Sequence, residues 1–231
     1  MKKLLFGACM ALAITASPVW AQDEKPVQVN VGGSVVMPLS DVKERFGTGG
    51  SFNIGVIFSP PSIPHVGLQV EYGYNHLAGE DATIPTSITP GGAITSTALI
   101  ESHHNMQYID FNGIFKGSAG AVQPYGLGGF GMYYRSVSLT TPDIGFTTWC
   151  DPYWYVCYPT AVAIDRVIGD RSSWDPGINI GGGINFKIGE HSKFYVETRY
   201  HYMWGPTFTD TAGVEHKANG QYLPITFGFR F

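Results

Sequence analysis

The sequence predicts an all-β fold: an eight-stranded antiparallel transmembrane β-barrel with long extracellular loops and short periplasmic turns. Eight segments alternate large apolar residues with small or polar ones, and the connections between them alternate long and short. The charges within these segments also fall on one face. Because successive side chains point to opposite faces of a strand, each segment has an apolar and a polar face. A barrel in a bilayer needs this pattern with its apolar face outward.

The first 21 residues have the features of a secretory signal peptide. Two lysines precede an apolar run that ends near Thr15, and Val19-Trp20-Ala21 provides a small-residue cleavage site. The expected organisation is therefore a signal peptide at 1–21 and one barrel domain at 22–231.

Composition narrows the class of protein. Loss of the two lysines leaves 12 basic and 18 acidic residues, a net charge of −6 with histidine neutral. This charge and the lack of a basic stripe argue against a nucleic-acid partner. The 30 glycines, 27 Phe plus Tyr and 14% charged residues favour strands over helices. After the signal, no apolar run approaches the roughly 20 residues of a spanning helix.

The first four predicted strands cover 27–39, 51–58, 65–76 and about 101–115. In the third, Val66, Leu68 and Val70 alternate with small or polar neighbours. The proline-rich segment 60–64 separates the second and third strands, because proline cannot continue a β-ladder. A region rich in Gly, Pro, Thr and Ser is expected to form a long loop up to about residue 100.

The last four predicted strands cover 122–135, 178–188, 194–204 and 221–231. The many glycines in 122–135 do not allow its residues to be assigned to an inner and an outer face. Residues 136–173 are expected to form the longest irregular segment. The final strand places five apolar residues on one face: Leu223, Ile225, Phe227, Phe229 and Phe231.

Connection lengths distinguish a membrane barrel from a soluble one. The odd-numbered connections run roughly 11, 24, 38 and 16 residues, whereas the even-numbered ones are about six residues each. Long outer loops and short periplasmic turns produce this asymmetry. A soluble lipocalin-like barrel has no reason to alternate in this way.

Six charged residues are predicted to form a lumenal network, with Arg199 as its hub. Three are acidic and three basic, and an eight-stranded barrel is only wide enough for side chains to fill. A plugged lumen is therefore expected, although Lys187 and Arg230 could lie at water-filled ends. The predicted network comprises Glu71, Asp110, Lys187, Glu197, Arg199 and Arg230.

Together these patterns resemble the small outer-membrane β-barrel family that includes the OmpA-type membrane domain and OmpX. The terminal residues Phe227, Phe229 and Phe231 resemble the assembly signal of such proteins. The resemblance implies a location in the bacterial outer membrane, contact with outer-membrane lipid and lipopolysaccharide, and insertion by the outer-membrane assembly machinery. It also implies functions ranging from envelope integrity to adhesion.

Cys150 and Cys157 are the only cysteines after signal removal, and in a secreted chain they are expected to form a disulfide. The alternative, a metal site, lacks a nearby histidine and a second ligand pair. The bridge would hold Tyr153, Trp154 and Tyr155 in an outer loop. These aromatics are candidates for binding a surface ligand or host protein, but they could equally rest on the outer leaflet or on other loops.

No catalytic residue, metal or cofactor is expected. His103 and His104 are interpreted as a solvated pair at the rim, since adjacent strand residues face opposite ways. His201 and Glu197 share a face but lie about 13 Å apart along the strand, too far for direct contact. The sequence thus predicts a non-enzymatic barrel serving envelope integrity or surface interaction; a small pore or transporter and an outer-membrane lipid-modifying enzyme remain alternatives.

Overall fold

A computed structural model describes residues 25–231 except 45, 64, 80, 89–93, 151–156, 191 and 210–212. The signal segment 1–21 lies outside the described residues. A single 3-10 turn at Ser40–Val42 interrupts the strands in the described part. The strands are β1 (Val27–Pro38), β2 (Gly49–Phe58), β3 (Val66–Ala78), β4 (Ala82–Ile88), β5 (Ile94–Lys116), β6 (Val122–Cys150), β7 (Cys157–Lys187), β8 (Lys193–Met203), β9 (Thr207–Thr209), β10 (Glu215–Lys217) and β11 (Gly220–Arg230).

Eight of these strands close an antiparallel barrel, which confirms the predicted fold class. Hydrogen-bonded neighbours run in the order β3-β2-β1-β11-β8-β7-β6-β5, and pairing of β3 with β5 closes the ring. Strand β4 pairs with the outer part of β5, and β9 pairs with β10. The turns β2–β3, β5–β6 and β7–β8 are short and lie at one end, the periplasmic end of such barrels.

The prediction that residues 136–173 form an irregular segment is wrong. Strands β6 and β7 continue through it as a paired hairpin whose register ends at Cys150 and Cys157. Pairing between β5 and β6 ends at Glu101 and Thr140, so among the described strands β6 pairs beyond that point with β7 alone. The paired segments 141–150 and 157–166 are called the ribbon below. Outside a bilayer a strand needs no apolar face, and so the alternation that marks the barrel strands is absent here.

The prediction of a long loop up to residue 100 is also partly wrong, because strands outside a bilayer need no apolar face that a sequence pattern could reveal. Residues 82–88 and 94–100 pair as β4 and the outer part of β5. The backbone groups of such segments satisfy each other by cross-strand pairing even where no apolar stripe reveals the strand.

The barrel exterior is an apolar band bordered by aromatic side chains. Tyr and Trp cluster at the loop end, where Tyr134 packs against Trp174 and Tyr202 against Trp204. Phenylalanines dominate the turn end, where Phe194 contacts Phe229. The apolar side chains exposed between these rings include Ile54, Val56, Val70, Ile109, Ile178 and Ile180.

The width of this band matches a bilayer. Trp174 and Phe186 lie twelve positions apart on β7 and border the band at its two ends. At about 3.3 Å per residue and a tilt of about 40°, they stand about 30 Å apart along the barrel axis. The hydrocarbon core of a bilayer is about 30 Å thick, so the band spans it. Among the described residues, no helix is long and apolar enough to cross a membrane.

Candidate functional site

Arg199 lies at mid-barrel and contacts three carboxylates from three different strands. It donates hydrogen bonds to Glu197 at 2.5 Å, to Glu71 at 2.9 Å and to Asp110 at 3.3 Å. All four side chains are at most 3% exposed. One guanidinium therefore links β3, β5 and β8 across the interior, where little water weakens its ion pairs.

Arg230 extends this cluster toward the turn end. It donates to Asn185 at 2.9 Å and to Glu197 at 3.3 Å. Its guanidinium also lies between two aromatic rings, 4.3 Å from the centroid of Tyr125 and 4.5 Å from that of Tyr195. Such cation–π contacts stabilise a charge that has lost its water.

Uncharged side chains also donate hydrogen bonds to the three carboxylates. Tyr133 donates to Asp110 at 2.7 Å and Tyr125 to Glu197 at 2.8 Å. Glu71 accepts hydrogen bonds from Asn30 at 3.0 Å and from Gln69 at 2.9 Å. Buried charges are tolerated when they are paired and hydrogen-bonded. These hydrogen bonds and ion pairs therefore explain how three acids fit inside one narrow barrel.

Buried apolar side chains lie on both sides of the charged cluster. Toward the loop end they are Val36, Leu77, Met106, Tyr108, Tyr133, Met203 and Tyr222. Toward the turn end they are Ile57, Ile114, Tyr125 and Leu127. Inward glycines make room for this filling: a Cβ at Gly73 would overlap the Tyr108 ring, and one at Gly131 would overlap Asp110. The charged cluster thus lies between two groups of apolar side chains, called the apolar layers, which also contain buried polar residues such as Lys116 and Asp175.

Lys187 is the exception among the six charges assigned to the lumen. Its side chain is exposed at the end of β7, whereas the other five residues are buried. The strand alternation continues to the last residue of β7, but there the barrel wall no longer encloses the side chain. Lys187 thus has the position at a water-filled end that the sequence left open for it.

The other predicted site residues that the structure describes are the two cysteines and the three terminal phenylalanines. Cys150 and Cys157 form a disulfide at the tip of the ribbon, and Tyr153, Trp154 and Tyr155 lie outside the described residues. Phe227, Phe229 and Phe231 face outward. The backbones of Phe231 and Val29 exchange two hydrogen bonds, of 2.9 and 3.2 Å, across the seam between β11 and β1.

The two adjacent histidines face opposite ways, but they are not both solvated. His103 is partly exposed, whereas His104 is 2% exposed and packs against Phe46. The interpretation as a solvated rim pair is therefore wrong for His104, because the turn after β1 folds over the barrel mouth and covers it.

Sequence reasoning missed a second buried ion pair, between Arg135 and Asp175. Asp175 precedes the predicted strand 178–188, so its pairing partner could not be assigned. His201 lies 3.0 Å from the hydroxyl of Tyr133 and 3.7 Å from Asp110, enclosed within the lumen at 2% exposure. Among the described residues, no group of three His, Cys, Asp or Glu side chains could hold a metal ion.

The apolar exterior, polar interior and closed antiparallel sheet define the class: the fold is that of small bacterial outer-membrane β-barrels. No protein-family model matches the chain, and no curated protein matches it in sequence. Solved structures with a similar fold include Neisserial surface protein A, at 13% identity and a TM-score of 0.46 over 90% of this chain and 98% of that one.

Two further similar structures are also outer-membrane proteins. Ail, the attachment invasion locus protein of Yersinia pestis, is 13% identical with a TM-score of 0.42, over 90% of this chain and 100% of that one. A major outer membrane protein from Thermus thermophilus is 12% identical with a TM-score of 0.49, over 90% of this chain and 99% of that one. Similarity at this level concerns the fold and carries no functional argument.

Proposed function

We propose that this protein is a non-enzymatic outer-membrane barrel with a plugged lumen, serving surface interaction through its extracellular ribbon. The observation that supports this proposal is the contrast between a lumen filled with buried, mutually paired side chains and a hairpin that extends beyond the barrel. The barrel, surrounded by outer-membrane lipid and lipopolysaccharide after insertion by the assembly machinery, then acts as a rigid support for the ribbon.

The filled lumen favours this function over that of a small pore. A conducting path would have to cross both apolar layers and pass Arg199, which is already bound to three carboxylates. Opening such a path requires breaking buried ion pairs, each of which costs about 3–5 kcal/mol when one partner is left alone. The filled lumen is therefore proposed to provide no path for ions.

Planar-bilayer recording tests the plugged lumen. The purified protein should produce no stable conductance steps under conditions in which an open porin, inserted from the same detergent, does. Stable steps of uniform size from this protein would contradict the plugged lumen and favour the pore alternative.

The ribbon is the part proposed to contact other molecules. Its tip carries the disulfide, and Phe146 on β6 is 82% exposed. Tyr153, Trp154 and Tyr155 follow within the disulfide loop and are proposed as anchors for a surface ligand or host protein. Large exposed aromatic side chains are frequent energetic centres of protein interfaces.

A shortened ribbon separates surface interaction from envelope integrity. Replacing 141–166 with Asn-Gly joins Thr140 to Val167, which pair in the native register, through a tight turn. Cells with this variant should lose attachment to surfaces or host cells, yet resist detergent as well as cells with the full protein. Detergent sensitivity equal to that of cells lacking the protein, with attachment unchanged, would instead assign the ribbon to envelope integrity.

A further inference from the structure

A cavity of about 590 Å³ lies at the outer mouth of the barrel, above the apolar layer that closes the lumen. The turn after β1, the outer parts of β5, β6 and β7, and the β9–β10 hairpin surround it. Small-molecule sites typically occupy about 300–1,000 Å³, combining apolar walls with a few polar groups. The cavity has the size and composition of such a site, and it is separate from the plugged lumen.

The charges around this cavity are divided between two walls. Asp41 and Glu44, both exposed, come from the turn and loop after β1. Arg171 on β7 and Lys217 on β10 form the other wall, with the guanidinium of Arg171 lying 3.7 Å above the ring of Phe208. The acidic lining residues thus come from one segment and the basic ones from two other segments, and these are called the acidic wall and the basic wall.

Arg135 also lines the cavity, but its guanidinium already has protein partners. Arg135 pairs with the buried Asp175 and donates a second hydrogen bond, of 2.7 Å, to the carbonyl oxygen of Ala218. It therefore serves to hold β6, β7 and the segment after β10 together. The charges that face the cavity for a ligand to use are those of the two walls.

His104 belongs to the lining of the cavity as a buried ring packed among aromatic side chains. Its Nε2 lies 3.1 Å from the hydroxyl of Tyr222 and its ring centroid 5.0 Å from that of Phe46. Its Nδ1 is buried and has no hydrogen-bond partner. Because Nδ1 is enclosed by the protein, it does not face the cavity and is not part of the proposed ligand contacts.

We propose that this cavity binds a small zwitterion with an apolar body, such as a short peptide with free termini. Its ammonium group would lie at Asp41 and Glu44, its carboxylate at Arg171 and Lys217, and its side chains over Phe46 and Phe208. A simple anion would meet the acidic wall, and a simple cation the basic wall. Both of these contacts bring like charges together and are unfavourable. A ligand with one positive and one negative group can instead place each group beside the wall of opposite charge.

The first test compares three forms of one peptide, measured by calorimetry on the full protein in detergent micelles. The dipeptide phenylalanyl-alanine with free termini should bind saturably, and N-acetylation or C-terminal amidation should each weaken binding about tenfold or more. No saturable binding of the free dipeptide up to about 10 mM would overturn the proposal. Equal binding of either blocked form would overturn the zwitterion assignment.

Wall variants locate the site. The double variant Asp41→Asn with Glu44→Gln should weaken binding of the free dipeptide but strengthen binding of the N-acetylated form, which has no ammonium group and is repelled by these two carboxylates. Arg171→Gln should weaken binding of the free dipeptide but strengthen binding of the C-amidated form, which has no carboxylate and is repelled by the guanidinium. Asp143→Asn on the distant ribbon, a change of one charge outside the cavity, should change none of the three affinities.

These variants change exposed residues outside the barrel wall, and heat-modifiable migration on gels verifies that each one folds. If Asp41→Asn with Glu44→Gln and Arg171→Gln all bind the free dipeptide as the wild type does, the peptide binds elsewhere and the proposal fails. The result is independent of the plugged lumen, which bilayer recording tests separately.

Discussion

The lumen and the ribbon of this protein use the same kind of contact in two different environments. Arg199 in the lumen and Arg166 in the ribbon each pair with carboxylates across strands, but the lumenal side chains are at most 3% exposed. The ribbon pair Arg166–Asp143 has a separation of 3.9 Å and exposures of 70% and 47%. Water screens the second pair and not the first, so similar residues differ in what they contribute to stability.

The two regions also differ in how their backbone is supported. Each barrel strand has a hydrogen-bonded neighbour on both sides, because the sheet closes on itself. In the ribbon, the described backbone of β6 beyond Thr140 pairs with β7 alone, and one side-chain hydrogen bond of 2.9 Å, from Thr141 to the carbonyl oxygen of Leu99, joins it to β5. A two-stranded hairpin is marginally stable in water, and here the Cys150–Cys157 disulfide links its two strands at the tip.

The largest expected effect is that of Arg199→Met. Removing the guanidinium leaves Glu71, Asp110 and Glu197 buried without their shared partner, so the free energy of unfolding should fall by about 3–5 kcal/mol. Urea unfolding in detergent, followed by tryptophan fluorescence, measures the loss. Adding Glu71→Gln should recover part of it, because this change removes a buried charge whose ion pair was with Arg199. A loss within about 0.5 kcal/mol, as for ordinary surface changes, would contradict the lumen account.

The disulfide should affect the ribbon and not the barrel. Cys150→Ser combined with Cys157→Ser removes a short-loop constraint that contributes about 2–3 kcal/mol of local order in the chain-entropy model. Limited proteolysis should then cut within 141–166 much faster than in the wild type, while urea unfolding of the barrel stays unchanged. Loss of barrel stability in this variant would show that the two regions are not separate.

Deleting Phe231 tests the seam between β11 and β1, where the first and last strands pair. The deletion removes the two backbone hydrogen bonds with Val29, together worth about 1–3 kcal/mol. The amount of folded, heat-modifiable protein in the outer membrane should fall, while export to the periplasm stays intact. Unchanged assembly would contradict the interpretation of Phe227, Phe229 and Phe231 as an assembly signal.

The smallest effect is expected for Arg166→Met in the ribbon, which matches Arg199→Met in chemistry and differs in burial. The exposed pair with Asp143 should contribute between 0 and about 1 kcal/mol, and its loss should leave the barrel midpoint in urea unchanged. A loss comparable with that of Arg199→Met would show that burial does not control the strength of these pairs.

The barrel could be predicted from the sequence because a bilayer imposes a strict alternation on each spanning strand. Residues such as Ile178, Ile180 and Phe227 follow that alternation and are exposed on the barrel wall. The ribbon could not be predicted, since water accepts either face of a strand. The turn that covers His104 and the pairing of Arg135 with Asp175 depend on contacts between distant segments, which no local pattern encodes.

Hydrogen exchange read by mass spectrometry on the intact protein in micelles tests most directly whether a rigid, plugged barrel carries a separately ordered ribbon. Amides of β5 and β8 around Asp110 and Arg199 should remain protected for hours, whereas those of 141–150 and 157–166 should exchange within minutes. This follows because local opening of the ribbon breaks few buried contacts. Equal protection in both regions, or rapid exchange in the barrel strands, would contradict the account.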